Sequence, residues 1–197
     1  MYSMPSDALL AWQADRLLRL RNVEADCLHL EAVHATDPDR VQEYIRSYAV
    51  LLSSEFQGFC RDLHSECADR LVDSANPLAL RTVLRSQCVY GRKLKTGNPN
   101  SGNLGADFNR YALDFWAAVL AIDPGHAARR DQLARLNAWR NAIGHHDYDP
   151  AELGGTTTLT IPQVGDWRTD CGVLATAFDA VMRNHLQATT GVSPWPP

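Results

Sequence analysis

Arg140, Asn141 and His145 lie close together in the last third of a 197-residue chain, in the run Arg140-Asn141-Ala142-Ile143-Gly144-His145. A guanidinium is a permanent cation whose planar N–H fork can hold a phosphate through two parallel hydrogen bonds. An imidazole can accept or release a proton near neutral pH. Together they meet the needs of metal-free cleavage of an RNA phosphodiester. A ribose 2′-OH must lose a proton as its oxygen attacks phosphorus. Charge growing on the phosphoryl oxygens must be stabilised, and the departing 5′-oxygen must gain a proton. His145 fits the first or the third role, Arg140 the second. Asn141 can hydrogen-bond the phosphate or orient His145. The internal 2′-OH makes RNA, rather than DNA, the expected substrate.

These groups need a frame. On a helix turning about 100° per residue, Leu133, Leu136, Arg140 and Ile143 fall on one side. Ala134, Asn137, Ala138, Asn141 and His145 form a neighbouring stripe of small and polar residues. Arg140 and His145 then diverge by about 140°, so one helix aims them poorly at a single phosphate. Two copies facing across a two-fold axis would let each site draw on both chains. Gly144 is expected to end the helix or loosen its last turn, and the helix C-terminus then favours protonated His145.

The chain is 45% hydrophobic, enough for one sizeable core. The expected organisation is a single domain over 1–190 and a flexible tail over 191–197. Net charge is -4, so no global basic field advertises nucleic acid. Between Arg81 and Arg130, however, eight basic residues face only Asp107, Asp114 and Asp123. Arg92, Lys93 and Lys95 in that stretch, with His146 beside the motif, are candidate RNA contacts. The five cysteines form no C-x-x-C pair and no disulfide framework. There is no secretory leader and no apolar run of membrane-spanning length, so a cytoplasmic protein without a membrane partner is expected.

Apolar periodicity predicts helices over most of the chain. The stripe Val41, Tyr44, Ile45, Tyr48, Leu52, Phe56, Phe59, Leu63, Cys67 and Leu71 is the clearest, opened by Asp37-Pro38 and closing near Asp73-Ser74. The first helix, about 7–33, has imperfect phasing. Asn76-Pro77 restarts a shorter one. Residues 95–105 are turn formers and read as a loop; a helix follows with Phe108, Tyr111, Ala112, Phe115, Val119 and Ile122 inward. A motif helix spans about 126–145. The β-branched run 156–161 suggests a short strand-like insertion, and Asp166 a cap for the final helix. The expected fold is an all-α bundle of five to six helices.

Arg140, Asn141 and His145 resemble the Arg-x(4 to 6)-His signature of the HEPN superfamily, within Leu136-Asn137-Ala138-Trp139-Arg140-Asn141-Ala142-Ile143-Gly144-His145. The context looks like stand-alone prokaryotic members, including the RiboL-PSP type. The resemblance covers about ten residues as a motif and most of the chain as architecture. It implies metal-independent RNA cleavage, homodimerisation through the motif helix, and a role in toxin–antitoxin or antiviral defence, with an antitoxin or nucleotidyltransferase as possible partner. Some members carry a modifiable Tyr two residues after the His. Here that position is Asp147, with Tyr148 one place later.

Plainer readings stand beside these. A non-catalytic HEPN-like module would bind RNA, nucleotide or a partner protein. A helical adaptor would use Arg140 only to hold a dimer. His145, His146 and Asp147 are adjacent, and adjacent residues rarely converge on one ion, so no metal and no cofactor are expected. Cys60, His64 and Cys67 share a helical face, and core packing is the expectation for them. The glycines at 97, 102 and 105 lack a P-loop ending. Trp116 and Trp139 read as core.

Overall fold

A computed structural model describes residues 4–195. Among them there is no strand, and the chain is an all-α bundle. Helix α1 (Asp7–Ala11) passes through a π turn (Trp12–Arg16) into α2 (Leu17–Val33). The π turn is the reason for the imperfect phasing: the wider turn resets the apolar face, so that Trp12, Leu20 and Cys27 are all buried. It also delivers Arg16 over Gly58, where its guanidinium pairs with Glu55 at 3.0 Å and Asp62 at 2.6 Å.

Helix α3 (Pro38–Asp73) is the spine. Asp37 caps it, accepting the Arg40 N–H at 3.2 Å, with Pro38 in the first turn, as the sequence predicts. Its apolar stripe is buried against α1, α2, α4 (Ala79–Val89), α7 (His126–His145) and α8 (Ile161–Thr190). Phe56 and Phe59 meet Trp12, each with ring centroids 5.7 Å apart. Phe178 of α8 packs on Phe115 at 4.8 Å, and Phe115 stacks on Phe108 at 4.4 Å.

Five local expectations are corrected. The 95–105 stretch is not all loop: Asn100 accepts the Asn103 N–H and starts α5 (Ser101–Phe108) inside it. The single helix expected next is interrupted at Ala112, whose φ of 60° breaks the chain before α6 (Phe115–Ile122), capped by Asp114. Ile122 is exposed rather than inward. Thr160, not Asp166, caps α8, because its hydroxyl reaches the Gln163 N–H and Pro162 suits the first turn. The tail is not free through its length, since Trp195 is buried in the core; positions 196–197 lie outside the described residues.

Residues 156–160 form no strand: Thr156 Oγ1 accepts the Thr158 N–H at 3.1 Å in a local turn, and the segment has no strand partner. The Gln42 carboxamide takes that place, accepting the Leu159 N–H at 2.9 Å and donating to the Leu159 carbonyl at 2.8 Å. Gln42→Ala leaves both backbone groups unpaired and is expected to cost about 1–3 kcal/mol of stability in urea unfolding. A midpoint equal to that of the parent chain would contradict this.

The Cys60, His64 and Cys67 face is core. All three are fully buried, and all five cysteines are free thiols. His64 Nε2 donates to the Asp107 carbonyl at 3.1 Å, and its other nitrogen faces Arg92 and the Tyr111 hydroxyl. Burial, with the Arg92 guanidinium beside it, pushes the imidazole down to about 4. The unfolded chain therefore binds this proton first. The contribution of His64 is complete above about pH 6.5 and is lost as pH falls toward 4, about 3 kcal/mol in all. Ring resonances in an NMR titration should show His64 neutral until near pH 4; a midpoint near 6.5 would contradict the packing.

Candidate functional site

Helix α7 is oriented by what it buries. Leu133, Leu136 and Trp139 are at most 2% exposed, packed toward α3 and α8. That leaves Ala134, Ala138, Asn141 and His145 on the outer side, as the helical spacing predicts. With Asn137 at its edge, this stripe lines a cleft of about 430 Å³.

Two loops wall the cleft. One contributes Asn100; the other contributes Asp147, Glu152 and Leu153. The first loop is tied to the bundle at several points. Gln57 Nε2 donates to the carbonyls of Leu94 and Gly97, at 2.9 and 2.8 Å. Asn137, only 4% exposed, donates to the Pro99 carbonyl at 3.3 Å and to the Leu133 carbonyl at 2.8 Å. Asn98 donates from Nδ2 to Asn141 Oδ1, and Asn103 holds the Asn98 carbonyl at 2.8 Å. The second loop is a chain of turns on Asp149, anchored by the buried side chain of Leu153.

Of the three candidate catalytic residues, one chain brings two to the cleft. Asn141 and His145 line it; Arg140 does not. Arg140 is half-buried at the cleft's outer flank, and its Nη1 reaches Asn141 Oδ1 at 3.4 Å. No carboxylate pairs with it among the described residues. Asn141 therefore links the cation to the cleft, its Oδ1 shared between Asn98 and Arg140. The contribution of Asn98 went unread in the sequence, where Asn98 is one polar residue in a run of turn formers.

Gly144 does not end the helix. α7 runs through His145, and His146 takes the left-handed conformation, with φ of 53°. The His146 N–H and the Asp147 N–H both turn back to the Ala142 carbonyl, the latter at 3.0 Å. His146 thus closes the helix and is not among the residues lining the cleft. Tyr148 is held under the Arg46 guanidinium, 4.4 Å from its ring centroid, and against Trp139.

The basic stretch is largely engaged within the fold. Arg85 pairs with Asp69 at 2.8 Å and Arg129 with Asp123 at 2.9 Å. Arg110 caps the end of α4 through the Cys88, Tyr90 and Gly91 carbonyls. Arg92, a candidate RNA contact, instead binds Ser65 Oγ at 2.7 Å and the Arg61 carbonyl at 3.2 Å. Lys93 and Lys95 remain exposed, on the short 3-10 turn Lys93–Lys95 whose N–H groups are held by buried Asp107. The loop that carries them continues to Asn98 and Asn100.

Among the described residues, no group of three or more His, Cys, Asp or Glu side chains is arranged to hold a metal ion. No helix there is long and apolar enough to cross a membrane. Comparison of the chain with family models, curated proteins and solved structures finds no match.

A non-glycine residue in the left-handed region costs about 1–2 kcal/mol, which glycine avoids. His146→Gly is therefore expected to raise the unfolding free energy by about 1 kcal/mol. A lower melting temperature would contradict the capping role assigned to His146.

Proposed function

We propose that this chain is a HEPN-like, metal-independent endoribonuclease that acts as a homodimer paired through α7. The observation that carries the reading is the state of Arg140. It is a guanidinium at the flank of a cleft, with a single carboxamide contact and no ion pair among the described residues, next to a cleft lined by Asn141 and His145. A structural arginine beside an apolar face is ordinarily paired. A cation there without a carboxylate partner suits a phosphate.

The chemistry needs Arg140 and His145 at one linkage. In a pair of chains related by a two-fold axis, Arg140 of one copy would stabilise the phosphoryl oxygens while His145 of the other moves the proton. The 2′-oxygen forms a bond to phosphorus as the bond to the 5′-oxygen breaks. His145 takes the 2′-OH proton or gives one to the 5′-oxygen. The products are a 2′,3′-cyclic phosphate and a free 5′-hydroxyl. Such an activity fits a toxin or defence effector held in check by an antitoxin-like partner.

A second reading is favoured by Asp147 and Glu152. Two carboxylates oppose a scissile phosphate inside the cleft, which suits a non-catalytic module in which a partner protein, or the neutral part of an RNA or nucleotide, enters it without being cut.

Incubating the purified chain with RNA in EDTA separates the two. The nuclease reading predicts 2′,3′-cyclic phosphate ends, with His145→Ala and Arg140→Ala each slower by about 100-fold or more. Binding without cleavage would favour the module. Full activity from a strict monomer, measured by sedimentation, would contradict the shared site.

A further inference from the structure

We propose that a second cleft, between the π turn and α8, binds a small oxyanion, a phosphate or a carboxylate. None of its lining residues belongs to the α7 cleft, so it stands whether or not the chain cuts RNA.

Trp12 opens the π turn, which turns its ring inward against Phe56 and Phe59. The side chain is fully buried, yet its indole N–H has no hydrogen-bond partner. Buried donors are ordinarily matched, so an orphaned one asks for an acceptor. The nitrogen lies beside Gly172 of α8. A methyl group on Gly172 would stand 3.9 Å from Trp12 Nε1 and would meet no other atom outside α8 within 4 Å. The glycine thus leaves the approach to the indole N–H clear. Trp12 and Arg21 line one side of a cleft of about 270 Å³, and Arg168 and Gly172 line the other.

A second orphan lies one helical turn away. Arg168 precedes Gly172 by four residues, which sets their Cβ positions about 5–6 Å apart on one face of α8. Glu24 holds the Arg168 Nη2 at 2.8 Å, but the buried Nε has no partner. Arg21, exposed and in no ion pair among the described residues, adds a free cation. No Asp or Glu lines the cleft. The Thr169 and Thr176 hydroxyls donate to carbonyls of their own helix, at 3.1 and 3.2 Å. What the cleft offers a ligand is therefore N–H and positive charge. Such a set opposes a metal cation and fits an oxyanion, whose oxygens accept from indole and guanidinium together. The volume is below that of sites for drug-sized ligands, so the group that enters is small. A π turn within a helix recurs at functional sites, which agrees with Trp12 being held in this position.

The indole N–H of Trp12 reports occupancy by NMR, its signal identified by Trp12→Phe. The intact chain is titrated with inorganic phosphate and, separately, with acetate, against sodium chloride at matched ionic strength. The Trp12 signal should move saturably with phosphate or acetate and stay in place with chloride. The tighter of the two names the ligand as phosphoryl or carboxylate. Gly172→Ala sets a methyl across the approach to the nitrogen while favouring the helix, so its melting temperature should match or exceed the parent's. Its anion affinity should fall about 10-fold or more. Arg21→Gln, at an exposed side chain, should weaken binding about 2- to 5-fold. No saturable movement with either anion, equal movement under chloride, or affinity unchanged in both variants would each overturn the site.

Discussion

Burial of Leu133, Leu136 and Trp139 fixes the rotation of α7, and the candidate site follows from that rotation. Once those three side chains face α3 and α8, every other residue of α7 has its direction assigned. Ala134, Ala138, Asn141 and His145 become a groove floor. Arg140, about 140° from His145 on an ideal helix, is turned to a different side. Within one chain, Asn141 and His145 line the groove and Arg140 does not.

The rest of the bundle serves that placement. The long α3 offers a continuous apolar face on which α7 and α8 lie. Gln57 and Ser53 on α3, with Asn137 on α7, hold the loop before α5 against the groove. Asn98 can then reach Asn141, and Asn141 in turn meets Arg140. Carboxamides are well suited to such a chain of contacts, because each supplies both a donor and an acceptor without adding charge. The far wall differs: it carries the Asp147 and Glu152 carboxylates, while among the described residues no carboxylate pairs with Arg140.

Helices with a long one-sided stripe were legible in the sequence. The span and cap of α3 and the outer face of α7 are both where periodicity puts them, since a 3.6-residue repeat of large apolar groups has one stable solution in water. The π turn at Trp12–Arg16 was visible only as a lapse in phase. Thr160 and Asp166 are both able caps, and the choice fell to Thr160 because Leu159 is anchored by Gln42 from a distant helix. The basic stretch read as a surface feature because local charge says nothing of partners. Arg92, Arg110 and Arg85 each find theirs 16 or more residues away. Lys93 and Lys95, with compact heads and no such fork geometry, stay at the surface.

The direct test of sharing across two copies is complementation between inactive variants. Arg140→Ala and His145→Ala chains are unfolded together, refolded as a mixture and assayed on RNA in EDTA. If one copy supplies the guanidinium and its neighbour the imidazole, each mixed dimer holds one intact site, and activity returns to a sizeable fraction of the parent. Should the mixture form mixed dimers yet remain as inactive as either variant alone, Arg140 and His145 do not meet across the pair, and the proposed mechanism fails.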